Sequence, residues 1–270
     1  MQAFFSTCFL QGLENKKRLT STGISGKIKY KFYSAWATLV ATTGENMLAL
    51  YLILSALIGY LFGSISISVL VSKFAFHDDV RSHGSGNAGA TNMARVYGAK
   101  GGLIVLLGDF LKAIVAATIV LLITEPAYDE IALMTTGIAC VLGHAFPVFF
   151  KFKGGKGVTV GAAVALLIDW KALVFIVAVF IVVFAITRIV SISSILGATG
   201  LTVITLIMYT LNLCGVGYGY FANFTPERLV LAIVASIIVI CLHKSNIERL
   251  VTGTEKKFSF KKKEKSGDAK

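Results

Sequence analysis

The chain has 270 residues, of which 56% are hydrophobic and only 15% charged, and its mean hydropathy is +0.78. This balance excludes an ordinary soluble globule and a disordered chain, and the apolar residues gather into runs far longer than a globular core needs. Twenty-six Lys and Arg against fourteen Asp and Glu leave a net charge of +12, which in so apolar a chain points to cytoplasmic loops and anionic headgroups rather than to nucleic acid.

Residues 1–46 contain no run of about 20 apolar residues, the length a helix needs to cross the hydrocarbon layer. They carry Lys16, Lys17, Arg18, Lys27, Lys29 and Lys31, and they read either as a poorly ordered arm or as sequence upstream of a true start at Met47, the second being preferred. From there the sequence predicts seven helices: Met47 to Ser72, Gly101 to Ile123, Ile131 to Phe150, a short Val158 to Ile168, Ala172 to Thr187, Ile195 to Leu213 and Arg228 to Leu242. The fourth is too short to cross unaided and reads as re-entrant or extended by its neighbours. No segment shows the alternating strands of a membrane barrel, so the fold class is all-α.

The loops sort by charge. Lys73, Arg81, Arg95 and Lys100 follow the first span; Lys151, Lys153 and Lys156 follow the third; Arg188 follows the fifth; His243, Lys244 and Arg249 follow the seventh. Glu125, Asp129 and Glu130 follow the second. Seven alternating spans put every basic segment on one side, which the positive-inside rule makes the cytoplasm, with the start of the core outside and its carboxyl end inside. Residues 47–253 thus form one membrane domain, and residues 254–270 a Lys-rich tail near anionic headgroups. Cys8, Cys140, Cys214 and Cys241 stand alone, without the spacing of a disulfide framework or a zinc site.

The polar motifs all fall on the basic side. Asp79 to Arg95 contains Gly84, Gly86 and Gly89 in G-x-G-x-x-G spacing, but it follows a membrane span and not the strand of a dinucleotide fold. What remains is chemistry suited to phosphate: small residues that let backbone N–H groups approach an anion, donors from Ser85, Asn87, Thr91 and Asn92, and charge from Arg81 and Arg95. Gly143 to Gly157 brings His144, then Pro147 to end or kink the third helix, then Gly154, Gly155 and Gly157 around Lys156. It lacks the leading Gly and the Ser or Thr of a Walker A loop, and reads as an anion cradle without a metal. Arg188 to Ser194 sets hydroxyls at the mouth of the sixth span, and His243 to Leu250 opens the carboxyl-terminal segment. Within the second span Asp109 and Lys112, at i and i+3, form a pair that braces the site.

Taken together, G-S-G-N-A-G-A-T-N, G-H-A-F-P-V-F-F-K-F-K-G-G-K-G, V-S-I-S-S and H-K-S-N-I-E-R-L-V-T-G, in this order on one face, resemble the signatures of the acyl-phosphate-dependent glycerol-3-phosphate acyltransferases, the bacterial PlsY family. The resemblance runs from about Met47 to Gly253. It implies seven spans in the bacterial cytoplasmic membrane with a cytoplasm-facing site, and acyl transfer from an acyl phosphate to the 1-hydroxyl of sn-glycerol 3-phosphate. The products are lysophosphatidic acid and phosphate, the first step of phospholipid synthesis. It implies catalytic roles for Ser85, Arg95, Lys156 and His243, and substrate binding by Gly84, Gly86, Asn87, Gly89, Asn92, His144, Gly154, Gly155, Ser194 and Asn246. No cofactor and no metal are implied; the partners are the two substrates, the bilayer and an enzyme that makes and hands over the acyl phosphate. The general base is either His243 or a substrate phosphate oxygen. Leu242, Lys244 and Ser245 depart from the neighbours that family members often place around this histidine. Two other readings are a transporter of a phosphorylated anion or lipid headgroup, and an acyltransferase using acyl-CoA or acyl carrier protein. The first lacks paired halves; the second lacks H-x-x-x-x-D, since none of His77, His83, His144 and His243 has Asp five residues on.

Overall fold

The computed structural model describes residues 46–258 except 218; the arm before residue 46 and most of the Lys-rich tail lie outside these residues. All regular structure among them is helical. Helix α1 covers 46–64 and, after a two-residue break, α2 runs Ile67–Phe76. There follow α3 Ala90–Tyr97, α4 Ala99–Ile123, α5 Asp129–Ala145, α6 Val158–Ile168, α7 Trp170–Thr187, α8 Val190–Leu213, α9 Pro226–Leu242 and α10 Lys244–Val251.

The seven expected segments are helical, except that the first breaks at Ile65 and Ser66 and the third ends at Ala145, short of its expected Phe150. Five are long and apolar enough to cross a membrane: Asn46–Phe76, Ala99–Ile123, Asp129–Phe150, Trp170–Thr187 and Val190–Leu213. A sixth passes that test only as α9 joined to α10, which meet at a 60° bend. The remaining segment, α6, has 11 residues, about 16 Å of helix at 1.5 Å per residue. The protein is a polytopic all-α membrane protein. Its apolar residues are arranged inside out relative to a soluble bundle: Leu103, Leu107, Leu111, Ile181 and Ile186 face outward, while the interior is built from Val160, Ala163, Val164, Ala165, Ala232 and Ala235. Small residues inside let helices approach closely where the surroundings are as apolar as leucine itself.

The tightest approach is between α1 and α5. A Cβ on Gly59 would strike the carbonyl of Thr136, one on Gly63 that of Cys140, and one on Gly143 that of Tyr60. Gly59 and Gly63 are a G-x-x-x-G pair on one face of α1. The helix ends have ordinary local causes. Asp169 caps α7 by accepting from the Lys171 N–H, Thr225 caps α9 ahead of Pro226, and Pro147 ends α5 at Ala145, since the residue before a proline disfavours the helical region.

The two ends of the bundle differ. One gathers the basic loops: Arg81 donates to the Phe150 carbonyl at 2.8 Å, the Ala88 N–H to the Gly154 carbonyl, and the Phe258 N–H to the Arg188 carbonyl. The other holds Glu130 in an ion pair with Arg228 at 2.9 Å, and Asp169 with Lys171 and Asn223.

Candidate functional site

At the basic end the loops close around a cavity of about 400 Å³. Its wall begins with the segment between α2 and α4. Gly84 has φ +65°, which an L side chain rarely adopts, and a Cβ there would run into Asn92. With Gly in place, Asn92 turns inward from α3 and ties the loop: its Oδ1 accepts from the Ser85 N–H at 2.8 Å, and its Nδ2 donates to the carbonyls of Val80 and His83. Asn92 therefore organises the loop, and Ser85 stands exposed at the cavity with its hydroxyl free of hydrogen bonds to the described residues. Arg95, one turn further along α3, faces the same space.

The glycine loop after α5 folds back on its own helix. The Gly155 N–H donates to the His144 carbonyl at 3.0 Å. A Cβ on Gly154 would meet that same carbonyl, and one on Gly155 would meet the His144 ring. These two glycines thus pack against His144 and do not line the cavity; nor does Gly86. Lys156 does, and its ammonium donates to the Asn246 side-chain oxygen. Burial pushes the Lys156 ammonium down to about 8, and Arg249 and Arg95 add to this against the opposing pull of Glu255.

The far wall comes from α8, α9 and α10. Ser194 donates to the Val190 carbonyl within its own helix and keeps its oxygen lone pairs for the cavity. His243 ends α9, 2% exposed, with Nδ1 2.7 Å from the Val239 carbonyl. A carbonyl only accepts, so Nδ1 carries the proton and Nε2 holds a lone pair. Burial lowers the His243 pKa below its usual 6.5, with Lys156 contributing, although the Val239 bond and Glu255 oppose the shift.

Of the fourteen expected residues, all but Gly86, Gly154 and Gly155 line this one cavity, together with Gly157 and Thr91. Sequence reasoning missed Ser191, Arg249 and Glu255. The Glu255 carboxylate accepts from Ser191 Oγ at 2.7 Å, Asn246 Nδ2 at 2.7 Å and Arg249 Nε at 2.6 Å. Burial raises its pKa, but these three donors prevail and hold the carboxyl below its usual range. It lies just past the expected boundary of the lysine-rich tail, so the first residues of that tail belong to the site.

Below the polar cavity lies an apolar one of about 470 Å³. The two share Leu106, Val158, Thr159, Phe180 and Ser194 as walls. The lower space runs between α4, α6, α7 and α8 as far as Leu173 and Leu201. From Ser194 to Leu201 is seven residues, about 10 Å along the helix. The whole therefore takes an amphiphile: an anionic head among Lys156, Arg95 and Arg249, and an apolar tail beneath it. Among the described residues no group of three or more His, Cys, Asp or Glu is placed to hold a metal ion.

Residues 53–253 match the model of the glycerol-3-phosphate acyltransferase family. A glycerol-3-phosphate acyltransferase of Geobacillus kaustophilus is 38% identical over 204 residues, 76% of this chain and 94% of the relative. One of Bacillus velezensis is 39% identical over 214 residues, 79% and 99%. Among solved structures, the crystal structure of PlsY, an integral membrane glycerol 3-phosphate acyltransferase, is similar in two forms. The glycerol 3-phosphate form has a TM-score of 0.65 at 34% identity, covering 77% of this chain and 96% of that one. The lysophosphatidic acid form has a TM-score of 0.64 at 33% identity, with the same coverage.

Proposed function

The chain belongs to the glycerol-3-phosphate acyltransferase family, and from this premise we propose that its acyl donor is an acyl phosphate and its acceptor the 1-hydroxyl of sn-glycerol 3-phosphate. The observation that carries the reading is the joining of a cationic cavity to an apolar groove through shared walls. A donor with a phosphate head and a fatty tail matches both halves at once, and the soluble acceptor needs only the upper one.

In this reading the acceptor hydroxyl oxygen attacks the acyl carbonyl carbon while the bond from that carbon to the phosphate oxygen breaks. Inorganic phosphate leaves and lysophosphatidic acid remains. Nε2 of His243 takes the hydroxyl proton, since Nδ1 is committed to Val239. Lys156 and Arg95 neutralise charge on the leaving phosphate, and the Ser85 and Ser194 hydroxyls orient the two phosphates. Asn246 holds the Lys156 ammonium in the cavity. No acyl-enzyme is required, because a phosphate is already a good leaving group. The bundle end that carries the site faces the cytoplasm of a bacterium in this reading, supported by the concentration of Lys and Arg there, and an acyl-phosphate-producing enzyme supplies the donor.

The test is phosphate release from palmitoyl phosphate by the purified protein, with and without glycerol 3-phosphate, alongside palmitoyl-CoA as donor. Acceptor-dependent release with lysophosphatidic acid formation, lost in Lys156→Ala, is the expected result. Turnover with palmitoyl-CoA alone would overturn the assignment of the donor.

A further inference from the structure

Asp109 and Lys112 of α4 are 2% and 6% exposed, deep in a helix that is otherwise apolar. They form an ion pair at 2.8 Å. The Lys112 ammonium also donates to the Ile65 carbonyl at 2.8 Å, in the break between α1 and α2, and lies 3.1 Å from Nδ1 of His144. The Asp109 carboxylate is itself 3.5 Å from that nitrogen. An ammonium offers donors only, so Nδ1 of His144 accepts and the ring proton sits on Nε2. Nε2 is the ring atom nearest the place a Gly155 side chain would occupy, and the next residue is Lys156.

A stabilising ion pair has no need of this arrangement. Replacing both partners by apolar groups costs little in many proteins, and charge at such depth in a membrane is expensive. What the pair supplies is a fixed imidazole orientation against the loop that carries Lys156. We infer that Asp109 and Lys112 are positioning residues of the transfer reaction: they hold the His144 ring against Gly155 and so set where the Lys156 ammonium stands. The inference rests on the reading of Lys156 as an anion-binding group, but its test does not depend on turnover.

The ammonium itself reports its position. Lys156 faces Arg95 from α3, His243 at the end of α9, Arg249 from α10, and Glu255 and Lys256 beyond it. Its depressed pKa of about 8 comes first from burial, and a displaced loop returns it toward the ordinary lysine value. Cyanate reacts with neutral amines, so carbamylation of Lys156 against pH, read by mass spectrometry on the full chain in nanodiscs, gives its midpoint without substrate. In Asp109→Asn/Lys112→Met, with helix content and melting temperature retained, that midpoint rises by about one pH unit or more, slowing labelling at pH 8 by roughly fivefold or more. The alkaline limb of kcat/KM moves up with it, and kcat/KM falls about tenfold. A folded double variant with the wild-type midpoint would overturn the inference.

Should that variant fail to fold, the contact between His144 and Gly155 is tested directly. Gly155→Ala alone displaces the ring and raises the midpoint, and adds nothing in a His144→Ala background where the ring is gone. Equal effects of Gly155→Ala in both backgrounds would overturn it too. Full activity in Lys156→Ala, by contrast, refutes the proposed site chemistry and leaves the labelling result to decide the positioning.

Discussion

The Lys156 ammonium donates to the side-chain oxygen of Asn246, ninety residues further along the chain. Asn246 is held in turn by Glu255, which Ser191 and Arg249 also bind. The glycine loop, the start of α8, α10 and the segment after it therefore meet at one cation, whose charge is available to a substrate anion only while the lysine is protonated.

Lys156→Met is expected to lower kcat/KM by about 10²–10³, the cost of removing a preorganised charge from a transition state. In the wild type kcat/KM falls as pH rises through about 8, where the ammonium of the free enzyme loses its proton. Bound phosphate favours the charged form, so the corresponding limb of kcat lies at higher pH. Parallel kcat and kcat/KM profiles measured from pH 5 to 10 check this.

In the proposed reaction His243 acts as the neutral imidazole, and burial holds its pKa below 6.5. This group therefore adds no pH dependence through neutrality and contributes an acid limb, the rate falling as pH drops through the lowered value. In His243→Asn kcat falls by about 10²–10⁴ and the acid limb disappears. Persistence of that limb in the variant would assign the proton to a substrate phosphate oxygen.

Gly197 lines the apolar groove, and a Cβ added to it meets only the Ile176 carbonyl at 3.7 Å. Gly197→Leu fills the groove about one helical turn below Ser194. Each methylene denied its place forgoes about 0.8 kcal/mol, or roughly fourfold. The ratio of kcat/KM for palmitoyl phosphate over octanoyl phosphate is expected to fall by about tenfold or more, with Gly197→Ala near wild type. A competition assay with mixed donors, products resolved by mass spectrometry, measures the ratio.

Gly63→Ala places a methyl against the Cys140 backbone carbonyl, which has no rotamer to yield. The α1–α5 contact opens, at a cost of about 1–3 kcal/mol. A lower midpoint in thermal unfolding of the detergent-solubilised protein, with KM for both substrates unchanged in the folded fraction, is the expected outcome.

Helix positions were legible because hydrocarbon thickness imposes long apolar runs: α6 matches its expected bounds, and α4, α7 and α9 differ from theirs by two residues at the start and none at the end. The break in the first span was not legible. It falls within the run Gly63 to Ser68, where the Ile65 carbonyl is taken up by the ammonium of Lys112, 47 residues away. Ser85, Arg95, Lys156, Ser194 and His243 were legible through the resemblance of their four motifs to the family's signatures, since a serine at a helix end or a single interfacial histidine has ordinary structural uses as well. Glu255 was not, because its meaning comes from three donors on other segments and its neighbours in sequence are lysines of a tail. Gly154 and Gly155 read as a cradle for an anion, whereas in the structure they make room for a histidine. Spacing alone does not distinguish these uses of glycine, since both require a missing Cβ.

The brevity of α6 has a consequence for how two immiscible reactants meet. The helix accounts for about 16 Å of a hydrocarbon layer about 30 Å thick, so the glycine loop before it and the Asp169 cap after it cannot both stand at a membrane surface. The boundary between water and oil is thereby carried into the protein. In the proposed reaction glycerol 3-phosphate occupies the polar cavity and the fatty chain of the donor the apolar one that shares its walls, so neither has to enter the other's solvent. Membrane thickness is then expected to be a variable of the reaction rate, which turnover in nanodiscs of graded lipid chain length would measure.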